Sequence, residues 1–139
     1  MNDKLKDEPT ILLVEDEKPL LAAVKKKLEV SGFSVIIART VKQAMGYLED
    51  VEKIDIIWLD HYLVGKETGL DFVVKLKEEN STWKKIPIFV VSNTSTPEKV
   101  ESYLRLGVDK YYTKSDYRLD EMISDIKEFL ANNNNNDHG

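Results

Sequence analysis

Four polar clusters in this chain each stand at the end of an apolar run. Glu15-Asp16-Glu17 follow TILLV, Asp60 follows IDIIWL, Ser92-Asn93 follow IPIFVV, and Lys114 follows VDKYYT. Carboxylates brought together repel, and each raises its neighbour's pKa unless a cation intervenes. A hard divalent cation suits such a set. Mg²⁺ prefers oxygen, takes one or two carboxylates, keeps several waters and accepts a phosphate oxygen as a further ligand. Lys114 adds a fixed positive charge and Ser92 a hydroxyl donor. A carboxylate can itself be the nucleophile and form an aspartyl phosphate. If the clusters meet, they can hold a phosphoryl group against Asp60 and stabilise the charge that develops during transfer.

Each residue alone also has an ordinary reading. The acidic triplet suits a helix N-terminus, Asp60 a loop cap, Ser92 a turn and Lys114 a solvated surface. The four together at strand ends are far more specific than any one of them.

The elements that would position them alternate. Thr10 to Val14 is continuously apolar, as in a strand buried on both faces. Phe33 to Ala38, Ile54 to Leu59, Ile86 to Val91 and Val108 to Thr113 are the other strand candidates. Between them lie helical stripes: Leu20, Leu21, Val24 and Leu28; Val41, Ala44, Met45 and Leu48 after a Thr40 cap; Leu70, Val73, Val74 and Leu76; Val100, Tyr103 and Leu104 after Pro97. Leu119, Met122, Ile123, Ile126 and Phe129 form a fifth stripe. Five βα units predict an α/β fold with a doubly wound parallel sheet, helices on both faces and right-handed crossovers. In such sheets, ligands bind at the carboxyl ends of the strands, near the switch point of strand order. The acidic triplet, Asp60, Ser92 and Lys114 share one edge if strands 1, 3, 4 and 5 are neighbours.

The 139 residues suit one domain, read here as 9–131. Residues 1–8 are expected to be flexible, and the Asn-rich tail 132–139, with no apolar residue, disordered. The net charge of −5 argues against a nucleic-acid partner, which usually calls for a basic face. The absence of cysteine excludes disulfides, thiolate zinc sites and cysteine nucleophiles. No run approaches the ~20 apolar residues of a membrane helix, and the polar N-terminus is no signal peptide, so a cytoplasmic location without membrane insertion is expected.

The stretches ILLVEDE, IDIIWLDHYLVGKETGLD, IPIFVVSNTS and GVDKYYTKSD resemble the response-regulator receiver family, which includes the chemotaxis response regulator. The likeness runs from about Thr10 to Leu130. It implies a flavodoxin-like fold with strand order 2-1-3-4-5 and Asp60 as the phosphoacceptor. It implies Mg²⁺ at Glu15 and Asp16, with Asp16 the more direct ligand, joined by Asp60 and the Tyr62 carbonyl. Ser92 would contact the phosphoryl group, Lys114 would pair with its oxygens, and Tyr111 would be the aromatic switch that turns inward when Ser92 shifts. The donor would be a sensor histidine kinase or a histidine phosphotransfer protein. With no output domain read after Leu130, a downstream protein would bind the helix 4–strand 5–helix 5 face, with Lys99, Tyr103, Lys110 and Tyr112 as candidate contacts. A homodimer dependent on phosphorylation is a further partner. The chain would be a phosphoacceptor that assists its own phosphorylation and dephosphorylation, not an enzyme acting on another substrate.

Four departures bear on rates. Glu15 stands where the family more often has Asp. Asn93 replaces a small residue. Tyr62 can overhang the site. Ser115 replaces a proline usually preceded by a cis bond. A cis bond before a residue other than proline costs ~3 kcal/mol, so Lys114–Ser115 is either strained or trans. His61 is expected to face away from the site, because successive strand residues point to opposite faces, and Tyr112 to point opposite to Tyr111. Asn93 and Ser115 motivate a second reading, a receiver that binds partners without being phosphorylated. A third reading is an enzyme on the same architecture. A flavodoxin-type flavin site calls for a Gly/Ser/Thr-rich loop after strand 1, where this chain has an acidic one that repels phosphate unless a cation intervenes. A haloacid-dehalogenase-type phosphatase calls for Asp-x-Asp there, where this strand ends Glu-Asp-Glu. A colourless, metal-free preparation without phosphatase turnover excludes both.

Overall fold

Three backbone hydrogen bonds tie the ends of the strands together before any side chain is considered. The Glu15 amide donates to the Ala38 carbonyl (3.0 Å), the Asp60 amide to Val14 (2.9 Å) and the Lys114 amide to Ser92 (2.7 Å). They close off a parallel sheet in a computed structural model that describes residues 8–137. The strands are β1 (Thr10–Val14), β2 (Ser34–Ala38), β3 (Ile56–Leu59), β4 (Ile88–Ser92) and β5 (Lys110–Thr113), in the order β2-β1-β3-β4-β5. All pairings are parallel, with Val14 opposite Leu59 and Ser92 opposite Thr113. This is the flavodoxin-like order expected, and its switch point lies between β1 and β3.

The helices are α1 (Lys18–Val30), α2 (Val41–Asp50), α3 (Gly69–Leu76), α4 (Pro97–Leu106) and α5 (Leu119–Asp137). Strand residues alternate between two cores. Leu12, Val14, Ile57, Leu59, Ile88 and Val90 pack under α2, α3 and Tyr103 of α4. Ile11, Leu13, Ile56, Trp58, Phe89 and Val91 pack under α1 and α5. Caps fix where helices begin: Thr40 Oγ1 accepts from the Gln43 amide at 3.0 Å, and Thr68 and Asp71 form a reciprocal capping box on α3. Pro97 opens α4, where its missing N–H costs nothing.

The structure corrects four expectations. In α3 the buried residues are Gly69, Phe72, Val73 and Leu76, while Val74 is 46 % exposed. Val73 and Leu76 are buried and Leu70 packs partly buried against the core, as expected, but Gly69, Phe72, Val73 and Leu76 form the i, i+3, i+4, i+7 face and Val74 falls off it. Tyr103 and Tyr112 are core residues, not surface contacts, because each buried hydroxyl finds a partner: His61 Nδ1 for Tyr103 and Asp125 Oδ2 for Tyr112. Leu104, read as part of the apolar stripe of α4, is exposed. The backbone of α5 continues through Asp137, past Ala131 where the folded part was expected to end. The flexible start expected for 1–8 lies, apart from Glu8, outside the described residues, as do His138 and Gly139. No helix among the described residues is long and apolar enough to cross a membrane.

Candidate phosphoacceptor and metal site

The switch point brings the acidic residues together. Carboxylate oxygens of Glu15, Asp16 and Asp60 all lie within 4.8 Å of one another. Glu15 is 1 % exposed and Asp60 4 % exposed, so two of the three carboxylates are out of bulk water. β1 delivers Glu15 and Asp16 just past Val14, and β3 delivers Asp60 just past Leu59. Lys114, just past β5, reaches across the strand ends. Its Nζ donates to Glu15 Oε1 at 3.0 Å and lies 3.7 Å from Asp60 Oδ2. The Tyr62 amide approaches Asp60 Oδ1 at 3.4 Å. Ser92 is fully buried at the end of β4.

Asp60 is the strained member of this set. Its carboxyl is pushed up from 3.8 to about 7, first by burial, then by the charge of Glu15 and a proton shared with it. Lys114 and the Tyr62 amide pull the other way without cancelling the rise. A buried acidic trio with one lysine as its counter-charge fits a hard divalent cation. Glu15, Asp16 and Asp60 supply the oxygens such an ion takes.

The Lys114–Ser115 bond is trans, the unstrained one of the two alternatives, as no cis peptide occurs among the described residues. Lys114 nonetheless reaches the site, with Nζ 3.0 Å from Glu15 Oε1. Two expected side-chain placements are met. Tyr111 and Tyr112 point to opposite faces, with Tyr111 against the core beneath α2–α4 and Tyr112 in the core beneath α1 and α5. The Tyr111 hydroxyl donates to the Thr94 carbonyl at 2.5 Å. His61 turns to Tyr103, with Nδ1 at 2.6 Å from the hydroxyl.

Arg39, Lys99, Thr94 and Gly69 were not read from the sequence as site residues. Arg39 Nη2 donates to the Asp16 carbonyl at 3.3 Å, which anchors the acidic loop. Arg39 is the polar residue ending strand 2, so the rule used for the other four strands would have found it. Lys99, read only as a surface contact, sends Nζ to the Tyr62 hydroxyl (2.9 Å) and to Thr94 Oγ1 (3.0 Å). The same ammonium lies 4.7 Å from the Tyr62 ring centroid, within cation–π range. Tyr62 is thus held between the loops that follow β3 and β4, and Lys99 lowers the pKa of its phenol through that hydrogen bond. Gly69 is the fourth. A Cβ there would lie 2.7 Å from the Asp60 carbonyl and 2.8 Å from the Tyr103 hydroxyl. No periodicity announces contacts of this kind.

A parallel five-stranded sheet in this strand order defines the flavodoxin-like class of α/β domain, here with an acidic trio and a lysine at its carboxyl edge. The response regulator receiver domain model matches residues 11–127, and the chain belongs to that family of two-component signalling domains. It is 30 % identical over 135 residues to the transcriptional regulatory protein CpxR of Escherichia coli K12, covering 93 % of this chain and 55 % of that protein. It is 33 % identical over 120 residues to the phosphate regulon transcriptional regulatory protein PhoB of the same organism, covering 86 % and 51 %. The chain spans about half the length of the curated relatives it matches. Among solved structures, the CheY-like receiver of Methanospirillum hungatei JF-1 superposes with a TM-score of 0.80 at 23 % identity, covering 92 % and 98 % of the two chains. The phosphorylated cyanobacterial phytochrome response regulator RcpA gives 0.77 at 27 % identity, covering 89 % and 94 %. The Mn²⁺-bound form of the response regulator Rcp1 gives 0.75 at 30 % identity, covering 87 % and 93 %.

Proposed function

We propose that Asp60 accepts a phosphoryl group from a phosphohistidine on a sensor histidine kinase or a histidine phosphotransfer protein. The observation that carries this reading is the buried carboxylate at the switch point, with Glu15 and Asp16 beside it and Lys114 Nζ 3.7 Å away. A carboxylate oxygen of Asp60 attacks phosphorus as the P–N bond breaks, and the imidazole nitrogen keeps the electron pair. Glu15, Asp16, Asp60 and the Tyr62 carbonyl would hold Mg²⁺, which when bound offsets the charge of the carboxylates and of the phosphoryl oxygens. Lys114 pairs with a phosphoryl oxygen and Ser92 donates its hydroxyl to another. Rcp1, a relative at this level of identity, has been solved with Mn²⁺ bound, and RcpA in a phosphorylated form. Both support the metal and the modification in this chain.

The signal leaves through Ser92 and Tyr111. A new anion on Asp60 draws the Ser92 hydroxyl and the β4–α4 loop, and Tyr111, bonded to Thr94 in that loop, changes its packing. The α4–β5–α5 face then binds a downstream protein, with Lys110 as an exposed contact, or a second copy of the chain. The test is incubation with a small phosphodonor and Mg²⁺, followed by intact mass. One phosphoryl group is expected on the native chain and none on Asp60→Ala. No addition to the native chain, or undiminished addition to the variant, overturns the reading.

A further inference from the structure

Tyr103 is a buried titratable group beside this site that the proposed chemistry does not use. It stands on α4, is fully buried, and its hydroxyl meets His61 Nδ1 at 2.6 Å. The rings of the pair are 5.7 Å apart and nearly perpendicular. Burial raises the pKa of this phenol well above its ordinary value, so the hydroxyl keeps its proton and can donate it to the imidazole.

The hydroxyl sits where the β3–α3 loop closes on itself. The Gly69 amide, at the far end of that loop, donates to the His61 carbonyl at 2.9 Å. Gly69 leaves room for the approach, since a Cβ there would come within 2.8 Å of the Tyr103 oxygen. One oxygen from α4 therefore abuts both ends of the loop that begins at Asp60 and carries Tyr62. On its other side the Tyr103 ring meets the Tyr111 ring at 5.7 Å. Tyr103 thus stands between the residue that follows the phosphoacceptor and the switch tyrosine, on a path that does not pass through Ser92.

We propose that Tyr103 is a positioning residue: its hydroxyl fixes His61, and through His61 the Asp60–Tyr62 backbone, while its ring carries the position of that loop to Tyr111. The proposal rests on the phosphoacceptor reading for its consequence but not for its geometry. A buried tyrosine that only filled space would make no demand on its oxygen. Here the oxygen is the part in contact with the loop.

The experiment uses the full chain and three variants. Tyr103→Phe removes one oxygen and keeps the ring. His61→Leu removes the partner, and His61→Gln keeps an acceptor. The first readout is hydrogen exchange of the Gly69 amide, which needs neither metal nor phosphate. Tyr103→Phe and His61→Leu should each lose roughly tenfold of its protection, and His61→Gln should retain it to within about twofold. The second readout is the Mg²⁺ concentration that half-shifts the Tyr62 amide resonance, expected to rise roughly tenfold in the same two variants and to be restored in His61→Gln. Combining His61→Leu with Tyr103→Phe should add nothing to either alone. Unchanged Gly69 protection in Tyr103→Phe, an unchanged Mg²⁺ midpoint, or losses that multiply in the double variant would overturn the proposal. If the native chain takes no phosphoryl group, the functional reading fails while these measurements still decide the role of Tyr103.

Discussion

Lys114 Nζ is held by Glu15 Oε1 at 3.0 Å, closer than the 3.7 Å that separates it from Asp60. The lysine is therefore stationed over Asp60 by a neighbouring carboxylate that is itself buried. Breaking a buried pair by removing one partner strands the other charge and typically costs about 3–5 kcal/mol. Lys114→Met should lower stability, toward the lower end of that range because the lysine retains some exposure, and should abolish phosphoryl transfer from a small donor. Chemical denaturation and intact mass on the same sample check both outcomes.

The raised pKa of Asp60 fixes the sign of a pH effect. Its folded value is about 7 against an ordinary 3.8, so between those values the folded state holds a proton that the unfolded state has lost. Stability contributed by this group is complete below about pH 4 and is lost as pH rises through about 7. Without Mg²⁺, Asp60→Asn should match the native chain near pH 4 and exceed it by up to about 4 kcal/mol near pH 8. Adding Mg²⁺ to the native chain should reduce that gap. Denaturant midpoints across this pH range, with and without Mg²⁺, provide the measurement.

Gly69 is constrained by proximity, not by its own torsion angles. A methyl group there meets the Asp60 carbonyl at 2.7 Å, and backbone cannot yield as a flexible side chain can. Gly69→Ala should cost about 1–3 kcal/mol, as overpacking does in well-packed regions. In the Tyr103→Phe background the added penalty should be smaller, because one of the two clashing oxygens is gone. Thermal unfolding of the four chains gives the comparison.

Tyr62 is half exposed, yet Lys99 grips it by hydroxyl and by ring. Its side chain links the loops at the ends of β3 and β4. Tyr62→Ala should open the mouth of the site to water and shorten the phosphoryl lifetime by roughly 3- to 10-fold. Lys99→Met, which frees the ring without removing it, should act in the same direction and more weakly. The decay of phosphorylated protein after removal of the donor reads both.

The strand ends were legible because a parallel sheet puts every carboxyl end on one edge, whatever the helices do. Glu15, Asp16, Asp60, Ser92 and Lys114 could each be placed by asking which polar residue ends its strand. Residues that act across the gap between elements were not legible. Lys99 lies one helical turn into α4, and only tertiary packing turns it toward Tyr62. Tyr103 and Leu104 are adjacent, and periodicity alone assigned both to one apolar stripe. The structure buries the first and exposes the second because the buried hydroxyl has His61 to receive it. In α3 the apolar residues outnumber the positions the core can cover, so Phe72 and Val74 competed and packing chose Phe72.

Thr94 is gripped at both of its oxygens: the carbonyl by Tyr111 and the hydroxyl by Lys99, which also holds Tyr62. In the proposed function, one of these tyrosines borders the surface offered to partners and the other the entrance for water. A single loop residue would then couple how long the domain stays charged to how strongly it advertises that state. Duration and loudness of the signal would share one hinge, and a substitution there would shift both together.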